Sequence, residues 1–565
     1  MRAVRCAALL LFLPLAALAA AGPNALEVTQ RFAAAGAAQL ALARVERLQP
    51  SGVTAPAWGD WETLRCSLLY QTKRHADLIK HVATLPASAA EKVKRSCLLQ
   101  GARAGLAAND AGATRDFLSR LIWRHDPSLE EMRQWRRLVI DSYVNEGKAQ
   151  DAYALMLRYQ QDYRPVDSDT AARFVEALSA AGMDKEAVGW LSALDDASPA
   201  KLLVRLTNNL VSGDAAAAQA RAQLAKSPNP AAWWQLLQQV ALRSKNRTLE
   251  IEALEQLLQL CDEQMPACAT ALAGQLWKAY SAAAQDIANQ NQILLGDEVV
   301  LSDLASRRSV SAPPLGRGLF AYLAAHSANT DTRYAGQLQL VHALASAKLG
   351  LVALRLYADQ AQFPPAQLDT QARYLLGAIA AEGDRPQLAV RFWSGLDTPA
   401  SLGTDEWQVR RAQVELRAGA LSQAADSLRR ALTGKTTLAP ELMRQVIAAA
   451  QTLQDAGEQK TADELFATML PVAAPPEKRE ILMRLGKAAE SAKDPARAAD
   501  CYLEAALLVE PTANDSFAWN ARLQAMLMLD RAGLKDDARA QADWLQKNVQ
   551  DAAQREMLRR ELSKR

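Results

Sequence analysis

Six cysteines and five histidines are the side chains of this 565-residue sequence best suited to ligate a soft metal or to attack a substrate. The histidines are His75, His81, His125, His326 and His342. His75 and His81 stand six apart, on different faces of a helix, so they do not make the H-x-x-x-H ligand pair. No histidine falls within motif distance of a cysteine pair, which leaves a zinc centre without support. Cys261 and Cys268 flank Asp-Glu-Gln-Met-Pro-Ala, a C-x6-C spacing rather than the redox C-x-x-C. There is no G-x-S-x-G elbow, G-x-G-x-x-G fingerprint or G-x-x-x-x-G-K-[ST] phosphate loop. The acidic pairs Glu130-Glu131 and Asp536-Asp537 sit in helical contexts, as solvated faces or partners of a helix N-terminus. The expectation is a chain that is not an enzyme, with no catalytic residue, cofactor or metal.

The compartment decides how the cysteines read. The first segment, MRAVRCAALLLFLPLAALAAAG, has Arg2 and Arg5 ahead of the apolar run Ala7 to Leu18. Small residues at Ala17/Ala19 or Ala19/Ala21 supply a cleavage site, so residues 1–21 are expected to be a secretory signal peptide. The alternative is an uncleaved anchor, but the run is short for a membrane span. Cys6 precedes the apolar run, which argues against lipid attachment. No later stretch approaches twenty apolar residues without charge, so the mature chain is expected to be periplasmic with no transmembrane segment. Five cysteines then remain in an oxidising space, where pairing is the default. Five cysteines taken as two pairs allow fifteen arrangements; proximity favours Cys66–Cys97 and Cys261–Cys268, leaving Cys501 as a small core residue.

These residues need elements to hold them, and the composition points to helices. Half the residues are hydrophobic, 6% are aromatic and 22% charged. The net charge of +3 falls to +1 without Arg2 and Arg5, giving no electrostatic footprint for nucleic acid. In LGKAAESAKDPARAADCYLEAALLVEP, Gly486 and Ala489 share one helix face; Ala498, Tyr502 and Ala505 share a face of the next helix. Small residues admit close approach, the tyrosine fills the gap, and Pro495 suits the first turn of the second helix. The cadence recurs at Gly101, Ala104, Ala113 and Phe117; at Tyr143, Ala152 and Met156; and at Gly377, Ala380, Ala389 and Trp393. Weaker copies carry Ala187 and Leu191, Ala353 and Tyr357, Ala424 with Leu428 and Ala431, and Ala462 with Phe466.

This pattern resembles the tetratricopeptide repeat, a helical hairpin with small residues at its eighth, twentieth and twenty-seventh positions. Here those positions fall on Gly486, Ala498 and Ala505, with Tyr502 at the twenty-fourth; Ala489 replaces the usual tyrosine, and the closing proline arrives one residue late at Pro511. The resemblance implies an all-α fold, a right-handed α-solenoid of TPR-like hairpins, and a Pro/Gly-rich break at 306–318 is either a hinge between two halves of it or an enlarged loop. The alternative is an irregular helical bundle. Long helices are expected from Trp233 to Leu260 and from Leu276 to Arg308, with turns at Asn246-Arg247 and Gly296-Asp297. Ser-Val-Ser-Ala-Pro-Pro-Leu-Gly-Arg-Gly then reads as a break. The expected organisation is therefore signal peptide 1–21, repeats 22–305, a Pro/Gly-rich break at 306–318, and repeats 319–565 ending in a charged capping helix.

Solenoids of this kind bind partners on a surface formed by first helices. The repeat register places Arg137, Asp141, Asn145, Glu382, Gln413, Arg417, Lys487 and Glu490 there, and their mixed sign argues against a strongly charged ligand. The first functional reading is a non-catalytic periplasmic scaffold whose partners are cell-envelope proteins. The second is an accessory subunit of polysaccharide or peptidoglycan handling that binds glycan or a glycan-modifying enzyme. The third is an adaptor in an energy-transducing envelope complex. Soluble lytic transglycosylases share the helical architecture, but the repeats here run on to REMLRRELSKR, and the Glu490-Ser491 pair lies inside a repeat helix. An exposed line of tryptophans beside acids would favour glycan; a mixed groove would favour protein.

Overall fold

The computed structural model describes residues 24–124, 126–262, 266–358, 363–508, 515–549 and 552–563. The expected signal peptide, His125 and Pro511 lie outside the described residues. Among the described residues every regular element is helical, and the chain forms two compact units, one ending at Lys226 and the other beginning at Ser227.

In the first unit, α1 (Asn24–Ala34) pairs with α2 (Ala38–Leu48), and α3 (Trp58–Gln71) with α4 (His75–Ala83). Next come α5 (Glu91–Ala107) with α6 (Ala111–Arg124), and α7 (Leu129–Asn145) with α8 (Ala149–Asp162). The unit closes with α9 (Ser168–Ala180), the short α10 (Asp184–Ala187), then α11 (Pro199–Thr207) and α12 (Gly213–Leu224).

The second unit opens on α13 (Pro230–Ser244) and α14 (Arg247–Leu260), followed by three helices, α15 (Pro266–Gln290), α16 (Glu298–Ser311) and α17 (Pro313–His326). Regular hairpins then resume: α18 (Thr330–Ser346) with α19 (Gly350–Tyr357), and α20 (Thr370–Glu382) with α21 (Pro386–Trp393). They continue as α22 (Thr404–Arg417) with α23 (Leu421–Leu432), and α24 (Pro440–Asp455) with α25 (Gln459–Met469). The last are α26 (Pro475–Ser491) with α27 (Pro495–Leu507) and α28 (Ser516–Arg531) with α29 (Lys535–Lys547), before α30 (Ala552–Ser563). The all-α hairpin array read from the sequence is the observed fold.

One contact recurs inside the hairpins. A Cβ on Gly377 would stand 2.0 Å from the Trp393 indole nitrogen, and one on Gly486 would stand 2.5 Å from the Tyr502 ring. At Gly101 the same atom would meet the Phe117 ring at 3.1 Å. In each copy the aromatic follows the glycine by sixteen residues and lies against bare backbone of the first helix. Trp393 adds a hydrogen bond from its indole N–H to the Tyr374 carbonyl, 3.1 Å. Phe117 and Tyr502 lie in local clusters, as expected where each repeat touches mainly its neighbours, whereas Trp393 belongs to a longer cluster that runs from Ile251 to Val414. The capping role read for the last helix agrees with Leu558, which is buried with Trp519 and Leu545.

The Pro/Gly segment differs from its reading as a break. Residues 306–318 are helical but for Ala312: α16 runs to Ser311, and Pro313 and Pro314 occupy the first turn of α17. Proline is tolerated there because its missing N–H has no intrahelical partner anyway. Gly316 is needed for contact rather than for a loop, since a Cβ on it would stand 2.6 Å from the Ser309 backbone. The unit boundary falls instead at Lys226-Ser227, beside Pro228 and Pro230. The expected turns at Asn246-Arg247 and Gly296-Asp297 are present, and Asn246 and Asp297 cap the helices that follow them.

Both expected disulfides form. Cys66 on α3 and Cys97 on α5 have Cα atoms 5.5 Å apart; Cys261, closing α14, and Cys268, in the first turn of α15, are 6.5 Å apart. Cys501 is free and half-buried, and burial pushes its thiol pKa up, away from nucleophilic character. A buried ion pair joins α14 to α17: Arg317 donates to both Glu255 carboxylate oxygens, at 2.7 and 2.5 Å, and Tyr280 of α15 donates to Oε1 at 2.8 Å.

Two measurements test this account. Gly377→Ala should lower the urea midpoint by the equivalent of roughly 1–3 kcal/mol of overpacking, whereas Gly274→Ala, with nothing near its Cβ, should raise it by about 0.5–1 kcal/mol. Equal gains at both sites would mean that the indole does not rest on the backbone. Replacing Cys66 and Cys97 by serine should cost on the order of 3 kcal/mol; an unchanged melting temperature would count against the bridge.

Candidate functional site

The first helices of successive hairpins stand side by side, and their register positions meet across the gaps. In the second unit Arg410 of α22 donates to the Tyr374 hydroxyl of α20 (3.1 Å), and Arg417 donates to the Ala381 carbonyl (3.2 Å). Gln413 donates to Gln445 of α24 (3.1 Å), and Gln451 to Glu480 of α26 (3.1 Å). Arg531 of α28 pairs with Glu490 at 2.7 Å. These links form a polar ladder on one side of the array.

Between the rungs lie open clefts. Glu382, Gln413 and Arg417 line one of about 540 Å³, together with Arg410, Gln445, Val414 and Leu416. Lys487 and Glu490 line a second of about 450 Å³, with Glu480, Arg484, Tyr502 and Phe517. Burial and the adjacent Glu490 carboxylate push the Tyr502 hydroxyl up to about 12, so it stays protonated and donates. A third cleft of about 540 Å³ lies among α13, α14 and α15, lined by Gln238, Arg247, Glu250, Gln275 and Lys278. All three carry both signs of charge over aliphatic or aromatic floors.

The remaining register residues lie in the first unit, on α7. Arg137 donates to the Thr170 hydroxyl of α9 (2.9 Å), and Asn145 donates to the Leu106 carbonyl of α5 (3.2 Å). Burial raises the Asp141 pKa against the opposing pull of Arg173 and Arg137. Five of the eight residues therefore fall in two separate clefts of the second unit; in the first, Arg137 and Asn145 make links between helices and Asp141 lies between them on α7. The register overlooked Arg410, Gln445 and Arg484, although Gln445 lies one repeat-length after Gln413. The tryptophan pair splits as helical geometry requires, Trp233 buried and Trp234 half-buried. Of twelve tryptophans Trp123 alone is exposed, at 83%, on α6.

A second polar cluster was not legible from spacing. Glu62 of α3 is 2% exposed, and its Oε1 meets Nε2 of His81 on α4. Gln49 donates to Oε2 at 2.5 Å, and Arg65 approaches Gln49 at 3.5 Å. Burial works to raise the Glu62 pKa, but the hydrogen bonds from His81 and Gln49 and the nearby charges outweigh it, so the carboxyl titrates below the usual glutamate range.

No protein-family profile matches the chain, and no curated protein matches it. Solved structures align along most of its length at low identity. The anaphase-promoting-complex hetero-tetramer Cut9–Hcn1 aligns over 95% of both chains, with 12% identity and a TM-score of 0.30. Naa15/Naa10 bound to HypK-THB aligns over 92% of this chain and 99% of the other, with 12% identity and a TM-score of 0.22. The pentatricopeptide repeat protein PPR10 with an 18-nucleotide psaJ RNA element aligns over 94% and 85%, with 13% identity and a TM-score of 0.32. These superpositions are too loose to carry residue correspondences, and the architecture rests on this chain's own helix contacts.

A depressed folded-state pKa means that Glu62 contributes stability above the unfolded glutamate value and loses it as pH falls through the folded value. Glu62→Gln should therefore lower stability at neutral pH and flatten the loss on acidification below the ordinary glutamate range. Parallel acid-unfolding curves for variant and parent would show that the carboxylate is not held this way.

Proposed function

We propose that the chain is a non-catalytic periplasmic scaffold that assembles cell-envelope proteins along the first-helix face of its hairpin array. The observation that carries this reading is the mixed character of the clefts: Glu382 of α20, Arg410 and Arg417 of α22 line one together with Val414 and Leu416 of α22 and Ala448 of α24. Such a surface suits an amphipathic polypeptide, whose side chains are polar and apolar in alternation. It suits a glycan less well, since glycan recognition calls for lines of exposed aromatic platforms, and of the tryptophans Trp123 alone is exposed. A charge of +3 gives no field for nucleic acid. Two disulfides within a chain that opens on Arg2, Arg5 and a short apolar run support export through a cleaved signal peptide. No described helix is long and apolar enough to cross a membrane.

A photo-crosslinking residue at Gln413 or at Lys487, both exposed in clefts, should capture the same envelope protein in living bacteria. The same probe at Arg430, exposed on the second helix α23, should capture none. Capture from Arg430 as readily as from Gln413 would remove the first-helix face from the reading. Export has its own check: the mature chain should begin at Ala20 or Gly22 by mass spectrometry, and recovery of the intact N-terminus would contradict cleavage.

A further inference from the structure

The Glu62 cluster adjoins the first disulfide. Glu62 and Cys66 are one turn apart on α3, on one helix face, and Cys97 faces them from α5. A Glu62 carboxylate oxygen and the two sulfurs lie within 4.8 Å of one another, all buried, and His81 reaches the same carboxylate from α4 through Nε2. Helices α3 and α5 thus converge two sulfurs and an oxygen, while the α4 imidazole nitrogen stands against the carboxylate and outside that group. While the S–S bond stands, neither sulfur is a thiolate. We infer that reduction of Cys66–Cys97 converts this cluster into a site for a soft divalent cation such as zinc, with both thiolates, Glu62 and His81 as ligands.

For the sulfurs and the Glu62 oxygen the geometry is close to what the ion demands, and His81 completes it by turning in past the carboxylate. Metal–ligand bonds of about 2.0–2.3 Å place tetrahedral ligand atoms about 3.3–3.8 Å apart, so the sulfurs must separate modestly and the oxygen and nitrogen move inward. Reduction by a thiol or phosphine breaks the S–S bond; each sulfur takes up one electron and one proton, and the thiol leaves as its disulfide, or the phosphine as its oxide, with water supplying the oxygen and the two protons. Cation binding then releases the two thiol protons. Two thiolates and one carboxylate around a dication leave one negative charge, which Arg65 faces through Gln49. Gln49 holds the second carboxylate oxygen and so orients the ligand. His81, 25% exposed, opens the way to solvent. No cysteine–histidine motif announces this site: Cys66, His81 and Cys97 are 15 and 16 residues apart, and only the fold brings them together.

The test uses the full chain with Cys6, Cys261, Cys268 and Cys501 replaced by serine, reduced with a phosphine and titrated anaerobically with cobalt(II). One equivalent should bind with thiolate-to-metal absorption and tetrahedral bands, and zinc should displace it. The oxidised chain and Cys97→Ser should show neither signal, while Glu62→Gln and His81→Asn should weaken binding by about tenfold or more. Absence of the thiolate band in reduced chain, or its persistence in Cys97→Ser, overturns the site; unchanged affinity in both Glu62→Gln and His81→Asn overturns the ligand set. Circular dichroism covers the case in which reduction melts the helices: recovery of ellipticity on adding zinc supports the site, and none at saturating zinc refutes it.

Discussion

An aromatic ring lying on helix backbone bared by glycine sets the spacing of the hairpins, and much else follows from that spacing. At Gly377/Trp393 and Gly486/Tyr502 a single added carbon would collide with the ring. A glycine within a helix costs about 1 kcal/mol relative to alanine. Burying a large side chain fully returns roughly 1.5–3 kcal/mol, so the exchange favours the contact. It also fixes register, because the ring fits only where the glycine is. Where the later residue is smaller, the earlier position fills: Leu428 pairs by the same sixteen-residue spacing with Ala412, and both are fully buried.

Regular spacing within hairpins makes the first helices neighbours at regular intervals, and this accounts for the polar ladder. Gln413–Gln445, Gln451–Glu480 and Glu490–Arg531 each bridge one first helix to the next. Exposed polar pairs of this kind contribute about 0–1 kcal/mol each. They therefore align helices without locking the surface. On the proposed scaffold reading, an arriving polypeptide would exchange such a bond for one of its own at little net cost, whereas the buried aromatic contacts beneath keep the hairpin geometry unchanged. The contacts that hold the hairpins and the polar links that face the clefts thus belong to different layers of the same helices.

The parts of this arrangement that were legible in the sequence are those encoded locally. The shared small-residue and aromatic faces of the hairpins, turns at Asn246-Arg247 and Gly296-Asp297, and Pro495 opening α27 are all short-range signals. The segment 306–318 misled because proline and glycine have two structural uses, breaking a helix or starting one and admitting a close neighbour. Here Pro313 and Gly316 serve the second. The boundary at Lys226 was marked by Pro228 and Pro230, but the same signature occurs at ordinary hairpin junctions such as Pro475. Glu62 with His81 was invisible because each looks like any helical polar residue until α3 and α4 fold together.

The exceptions to nearest-neighbour order are concentrated where the hairpin rhythm lapses. Arg317 reaches Glu255 across 62 residues, and Arg355 of α19 donates to the carbonyls of Leu258 and Cys261 across 97 and 94. Those two carbonyls lie at the C-terminus of α14, where helix carbonyls lack partners and a guanidinium is favoured by the dipole. Breaking a buried pair such as Glu255–Arg317 leaves an uncompensated charge, at about 3–5 kcal/mol. Such groups therefore do what repeated apolar contacts cannot: they distinguish one assembly of helices from another with the same hydrophobic pattern. In a repeat array, where any hairpin could stack on any other, the three-helix interruption α15–α17 and its buried charges fix one order of helices between α14 and α19.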